Sequence, residues 1–194
     1  MRNAQISRKT SETDISLQLN IDGTGDREIG TGIGFFDHML DLFAKHGLFD
    51  MKLRVIGDLN VDEHHTIEDV GIALGEAFTE AAGDKAGICR YSTQFVPMDE
   101  TLAFVSVDFS GRAFLQYSVD CPDASVGGIS AQMFEEFFRA FATSAKLTLH
   151  VCVCYGANTH HMVEAVFKAA GRALRFALEK DPRNTGIPST KGVL

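Results

Sequence analysis

The sequence is short of cysteine, of basic residues and of long apolar runs. Its four cysteines are Cys89, Cys121, Cys152 and Cys154, and none has the CxxC spacing of a thiolate metal or redox site. Cys152 and Cys154 alternate along "LTLHVCVCYG", which puts them on one face of a strand. All four are expected to be reduced thiols that serve mostly as packing groups. Eighteen Lys and Arg face 26 Asp and Glu, for a formal net charge of -8. That balance argues against a nucleic-acid partner, which calls for a basic footprint. A small phosphorylated ligand stays compatible, because it needs only a local cluster of cations. No apolar run approaches the ~20 residues that cross a bilayer. The start, "MRNAQISRKTSET", lacks the apolar stretch of a signal peptide. A cytoplasmic protein with no membrane partner is the expectation. No low-complexity segment or flexible linker interrupts the chain.

What is present suits a soluble domain. The 194 residues are 45% hydrophobic and 23% charged, enough for a sizeable core. "DISLQLNID" alternates Ile15, Leu17, Leu19 and Ile21 as a half-buried strand does. "GFFDHMLDLFAKHG" carries Phe36, Met39, Leu40 and Phe43 at helical spacing and stops at Gly47. "MKLRVIG" alternates again. "HHTIEDVGIALGEAFTEAAG" is an amphipathic helix with Ile67, Val70, Leu74 and Phe78 on one stripe. The second half repeats the theme. "TLAFVSVDFSGRAFLQYSV" gives two strands around a Ser110-Gly111 turn, "SAQMFEEFFRAFATSA" a helix, "KLTLHVCVCYG" a strand, and "HHMVEAVFKAAGRALRFALEK" a helix. The chain is read as one domain over 1–194, duplicated as about 1–88 and 89–180, with an irregular tail over 181–194. The "AAGDKAGI" stretch at 81–88 marks the seam. Strands and helices in this order predict α+β halves of two layers each.

The chemistry lies in a doublet. "DEHHTIED" holds His64, His65 and Glu68; "NTHHMVEA" holds His160, His161 and Glu164. Each member is 96 residues from its counterpart. On the preceding helices "FFDHML" matches "MFEEFF", which sets His38 against Glu136 at a separation of 98. A shorter loop in the second half accounts for the difference. Residues i and i+4 share a helix face, so His64 and Glu68 can reach one ion together. His65 is turned ~100° from His64 and suits a different ion. The repeat suggests one ion on His64, Glu68 and His161, and another on His160, Glu164 and His65. His38 and Glu136 are each available as a fourth ligand. Mixed imidazole and carboxylate donors without thiolates suit Mn²⁺, with Zn²⁺ as the competitor. A solvated helix start explains one such motif as well, but two at matching places in a repeat less well. The same ligands would also suit a di-metal phosphoester hydrolase, or metals that only hold subunits together. His150, in a strand, reads as a packing or surface group. His46 stands where a helix dipole favours a cation.

"FFDHML", "DEHHTIED", "NTHHMVEAVFKA" and "PSTKGVL" together closely resemble the imidazoleglycerol-phosphate dehydratase family, from "RKTSET" to the last residues. The resemblance is to the monofunctional form, and it implies a fold, an assembly and a chemistry. The fold is a duplicated split-βαβ arrangement of the ribosomal-protein-S5-domain-2-like kind, in a homo-oligomer of 24 subunits with active sites shared between them. Two Mn²⁺ are expected per site. His38, His65, His160 and Glu164 would hold one, and His64, Glu68 and His161 the other, completed by position 136. There this chain has Glu136 where one form of the family has His. The implied reaction removes water from D-erythro-imidazole-glycerol phosphate to give imidazole-acetol phosphate, a step of histidine biosynthesis. Glu12 in "RKTSET" matches the family's substrate-contacting carboxylate and is the expected catalytic acid/base. His46, Arg90, Arg112, Lys168, Ser189, Thr190 and Lys191 match substrate- or phosphate-contacting positions. The "PSTKG" tail is expected to order over the ligand.

Overall fold

The protein is described here, from residue 1 to residue 194, by a computed structural model. The first half runs β1 (Asn3–Lys9), β2 (Thr13–Asn20), β3 (Arg27–Gly30), α1 (Gly34–Gly47), β4 (Asp50–Gly57) and α2 (His64–Ala82). The second half runs β5 (Tyr91–Met98), β6 (Thr101–Asp108), β7 (Phe114–Ser118), a small hairpin of β8 (Ser125–Val126) and β9 (Ile129–Ser130), α3 (Gln132–Ser144), β10 (Thr148–Tyr155) and α4 (Thr159–Leu178). The two main sheets have the same order, β1-β2-β4-β3 and β5-β6-β10-β7. In each, the third and fourth strands in the list run parallel and the other pairs antiparallel. Register repeats too: Ile15 lies opposite Val55, and Ala103 opposite Val153. Strands recur at a spacing of 88 residues before the insertion that holds the β8–β9 hairpin, and at 98 after it.

Each half is a sheet with two helices on one face. The halves meet helix to helix, α1 against α4 and α2 against α3, so the sheets lie outside. Small residues allow that approach. A Cβ added at Gly171 would lie 2.3 Å from the Phe43 carbonyl oxygen, and one at Gly75 would lie 2.7 Å from that of Phe141. These are the same crossing in the two halves. Between the helices sit Phe36, Phe43, Phe78, Phe137, Phe141 and Phe167, all buried. Each such side chain contributes about 1.5–3 kcal/mol by leaving water.

Besides the short β8–β9 hairpin, three strands of the main sheets carry no sequence expectation: β1, β3 and β5. All three are edge strands. An edge strand buries little on either face, so its alternation is weak. β3 and β5 are the plainest cases, since no residue of either is fully buried, and Pro97 of β5 sits where a missing N–H is tolerated. β6 and β7 flank the Ser110-Gly111 turn as expected, but they are not neighbours, because β10 lies between them. The cysteines form no disulfide. Cys89 and Cys154 are exposed rather than packed, and Cys154 lies on the uncovered outer side of the second sheet.

Candidate active site

The paired histidines open the last helix of each half. His64 and His65 are the first two residues of α2, and His160 and His161 follow Thr159 in α4. Asn158 caps α4 by accepting from the backbone N–H of His160 and His161, at 2.9 and 3.3 Å. Asp62 accepts from His64 N–H at 2.8 Å.

Crossing of α1 over α4 brings His38, His160 and Glu164 together. Their ligand atoms all lie within 4.8 Å of one another, the one such group of His, Cys, Asp or Glu in the chain. Glu164 Oε2 is 3.1 Å from His160 Nε2 and 3.5 Å from His38 Nε2. Its Oε1 is 2.5 Å from Lys168 Nζ, one turn along α4. Burial pushes the Glu164 carboxyl up, but Lys168, His160 and His38 outweigh it and hold the group below its ordinary value. His46 stands near Lys168 and Arg172: burial lowers its pKa, and these two cations lower it further.

The matching crossing in the other half is looser. His64 Nε2 is 3.8 Å from Glu68 Oε2. Glu136, the counterpart of His38, lies on α3, and its carboxylate is 3.7 Å from Arg139. Two carboxylates repel where two histidines do not, and Arg139 offers Glu136 a better neighbour.

His65 and His161 are each held by a carboxylate at Nδ1. Asp58 Oδ2 lies 3.0 Å from His65 Nδ1, and Glu100 Oε2 lies 2.8 Å from His161 Nδ1. Both imidazole pKa values are raised, that of His65 chiefly by Asp58 and that of His161 chiefly by Glu100. The Glu100 carboxyl is lowered to about 2 by His161 and by backbone N–H groups. Glu12 Oε1 is 3.8 Å from His65 Nε2. The Asp58 N–H donates to the Glu12 carbonyl at 3.0 Å, so the two travel together. Neither His65 nor Glu12 joins the His38, His160 and Glu164 group.

The cationic residues also divide. Arg90 Nε donates to Asp108 at 2.8 Å, and its Nη1 donates to the Pro188 carbonyl at 2.8 Å. Arg112 lies in the β6–β7 turn, where Gly111 meets the terminal Leu194. The tail segment with Ser189, Thr190 and Lys191 is folded against this end, and the Lys191 N–H donates to Ser189 Oγ. Lys168 is at the other end of β5, where its Nζ reaches Met98 Sδ at 3.7 Å. Seven residues of extended chain between Tyr91 and Met98 correspond to roughly 23 Å.

Glu100, Asp58 and Arg172 were not singled out by sequence reasoning. A signal for Glu100 exists: "SET" at 11–13 returns as "DET" at 99–101, 88 residues on, at the spacing of the strands. That makes Glu100 the counterpart of Glu12.

A sequence model of the family described as imidazoleglycerol-phosphate dehydratase (IGPD) matches residues 31–174. The imidazoleglycerol-phosphate dehydratase of Caldanaerobacter subterraneus subsp. tengcongensis is 59% identical over 194 residues, all of both chains. The chain belongs to the imidazoleglycerol-phosphate dehydratase family. It is therefore a hydro-lyase. Solved IGPD structures agree in fold. The Staphylococcus aureus enzyme has a TM-score of 0.84 at 39% identity, covering 92% of this chain and 99% of that one. IGPD of Pyrococcus furiosus, solved in complex with (S)-C348, has a TM-score of 0.85 at 37% identity, covering 97% of this chain and all of that one. The duplicated α+β architecture is thus the IGPD fold, and no helix in it is long and apolar enough to cross a membrane.

Proposed function

We propose that this IGPD-family chain dehydrates D-erythro-imidazole-glycerol phosphate to imidazole-acetol phosphate, as a cytoplasmic enzyme of histidine biosynthesis. We assign it two Mn²⁺ per site and a 24-subunit homo-oligomer with shared sites. The observation that carries the reading is the gathering of His38, His160 and Glu164 by the α1–α4 crossing. Their mixed N and O donors fit a borderline divalent ion. His65 completes that set, and His64, Glu68, His161 and Glu136 form the other. Bound ions supply Lewis acidity to the imidazole ring of the substrate.

The chain's own groups divide the remaining work. Glu12 makes no hydrogen bond with its carboxylate, and it faces the same nitrogen of His65 that would face an ion. It is placed to hold or take the proton that leaves carbon. Lys168 fixes the Glu164 carboxylate and presents charge for the phosphate. Arg90, Arg112, Ser189, Thr190 and Lys191 supply the rest of the phosphate site, and His46 is a further substrate contact near Lys168. Because Lys168 and Arg90 lie at opposite ends of β5, one phosphate can meet both only if they come from different copies. Likewise His65 and Glu12 reach the His160 cluster from a second copy. The outer face of the second sheet suits such contacts, for Phe95, Phe114 and Tyr155 are exposed there. The first sheet presents Gln18, Lys52 and Arg54 instead.

The test is an assay on metal-stripped protein. Mn²⁺ is returned in steps with imidazole-glycerol phosphate present, and ketone and free phosphate are followed together. Mn²⁺-dependent ketone without phosphate is the expected result. Phosphate without ketone would replace the dehydratase with a hydrolase.

A further inference from the structure

Glu12 and Glu100 occupy equivalent turns, β1–β2 and β5–β6, yet their carboxylates do different things. Glu100 Oε1 accepts from the backbone N–H of Asn158 at 2.9 Å and of Ala157 at 3.2 Å, and from Thr101 Oγ1 at 3.2 Å. Its Oε2 meets His161 Nδ1 at 2.8 Å. An ionised carboxylate only accepts, so the neutral ring must donate from Nδ1 and keep its lone pair on Nε2. Glu12 has no such partners. In its half the task falls to Asp58, whose Oδ2 meets His65 Nδ1 at 3.0 Å and whose Oδ1 is buried without a hydrogen bond.

We propose that Glu100 is a positioning residue. It locks the tautomer and angle of His161 so that Nε2 is presented to an ion, and Asp58 does the same for His65. Duplication left two equivalent glutamates. Asp58 relieved one of them, and that one, Glu12, is free for proton transfer. The inference rests on the ligand reading of His161 and His65 above. General coordination chemistry supports it, since a ligating histidine is oriented by the acceptor at its other nitrogen.

Glu100→Gln tests it by chemistry rather than by size. Two backbone N–H groups demand oxygen at the Oε1 position, so the amide NH2 must face His161. It then donates to Nδ1, and the ring proton moves to Nε2, where it blocks a ligand bond. The loop contacts survive. Asp58→Asn is not so constrained, because its second oxygen bonds nothing; its amide can turn its oxygen to His65 and should be milder.

Mn²⁺ affinity is measured on the full-length protein by the electron-spin signal of free Mn²⁺, for wild type, Glu100→Gln, Asp58→Asn and His161→Ala. Thermal unfolding of each metal-free protein is recorded alongside. Glu100→Gln should lose about 10–100-fold in affinity for one class of ion, with metal-free stability unchanged. Loss in His161→Ala without loss in Glu100→Gln overturns the proposal and leaves the ligand reading standing. Loss in neither overturns both. A measurement that needs no variant runs beside these: ¹⁵N shifts of histidine-labelled, metal-free wild type, followed upward in pH until the His161 shifts stop changing and the ring is neutral. Nδ1–H at His161 supports the inference, and Nε2–H overturns it.

Discussion

Glu12 stands 3.8 Å from His65 Nε2 in a turn fixed from several sides. Thr10 Oγ1 accepts from the backbone N–H of Glu12 and of Thr13, and buried Asp69 takes the Thr13 hydroxyl at 2.5 Å. The backbone is held while the carboxylate is left open. Glu12→Gln should therefore keep metal content and assembly and lower kcat by about 10²–10⁴. Near-normal kcat would remove Glu12 from the chemistry. Lys168 has a different signature. Lys168→Ala, assayed at saturating Mn²⁺ so that the loosened Glu164 stays loaded, should raise KM more than it lowers kcat. An unchanged KM would count against phosphate contact. At this scale the paired histidine motifs were legible, because His-His-x-x-Glu is a spacing within one helix and occurs twice. Glu12 and Lys168 were legible only through resemblance. Asp58 was not, since a carboxylate that bonds a histidine across a turn leaves no spacing of its own, and Glu100 left only the return of "SET" as "DET" 88 residues on.

Helices and strands show where the repeat is enforced. Gly75 and Gly171 let α2 and α4 lie against the carbonyls of Phe141 and Phe43. Gly171→Ala should lower stability by about 1–3 kcal/mol in denaturant unfolding, since backbone at 2.3 Å cannot move aside as a side chain does. Asp50 opens β4 and accepts at Oδ1 from the backbone N–H of Thr24, Gly25 and Asp26, and at Oδ2 from Asn20. These bonds, that from Thr24 first, hold its pKa below the ordinary value. A lowered carboxylate pKa stabilises the fold above the unfolded-state value of about 3.9, and that share is lost as pH falls through the folded pKa. Asp50→Ala should be less stable near neutral pH and should lose less of its remaining stability below about pH 4. An unaltered acid limb in urea melts would contradict this. The four helices and central strands were readable because each buries a full face. Edge strands β1, β3 and β5 were not, and neither was the insertion of β10 between β6 and β7, which depends on contacts far apart in sequence.

As a whole, the molecule is two pseudo-equivalent halves, each of which presents its paired histidines at the start of its last helix. The duplication was visible in the 96- and 98-residue spacings, but a site divided between subunits was expected only through the resemblance, because sequence gives no distance between His65 and His160. In the folded chain Glu12, His65 and Asp58 form one group and His38, His160, Glu164 and Lys168 another. The account requires a second copy to unite them. Complementation tests this most directly. Glu12→Gln and His160→Ala chains, each inactive alone, are co-expressed with different tags, and the mixed assembly is isolated on both. If an intact site takes Glu12 from one chain and His160 from another, random mixing restores about a quarter of the sites, and dehydratase activity returns to that order. Activity no greater than that of either variant alone would mean that both groups serve the same chain's site, and would contradict the account.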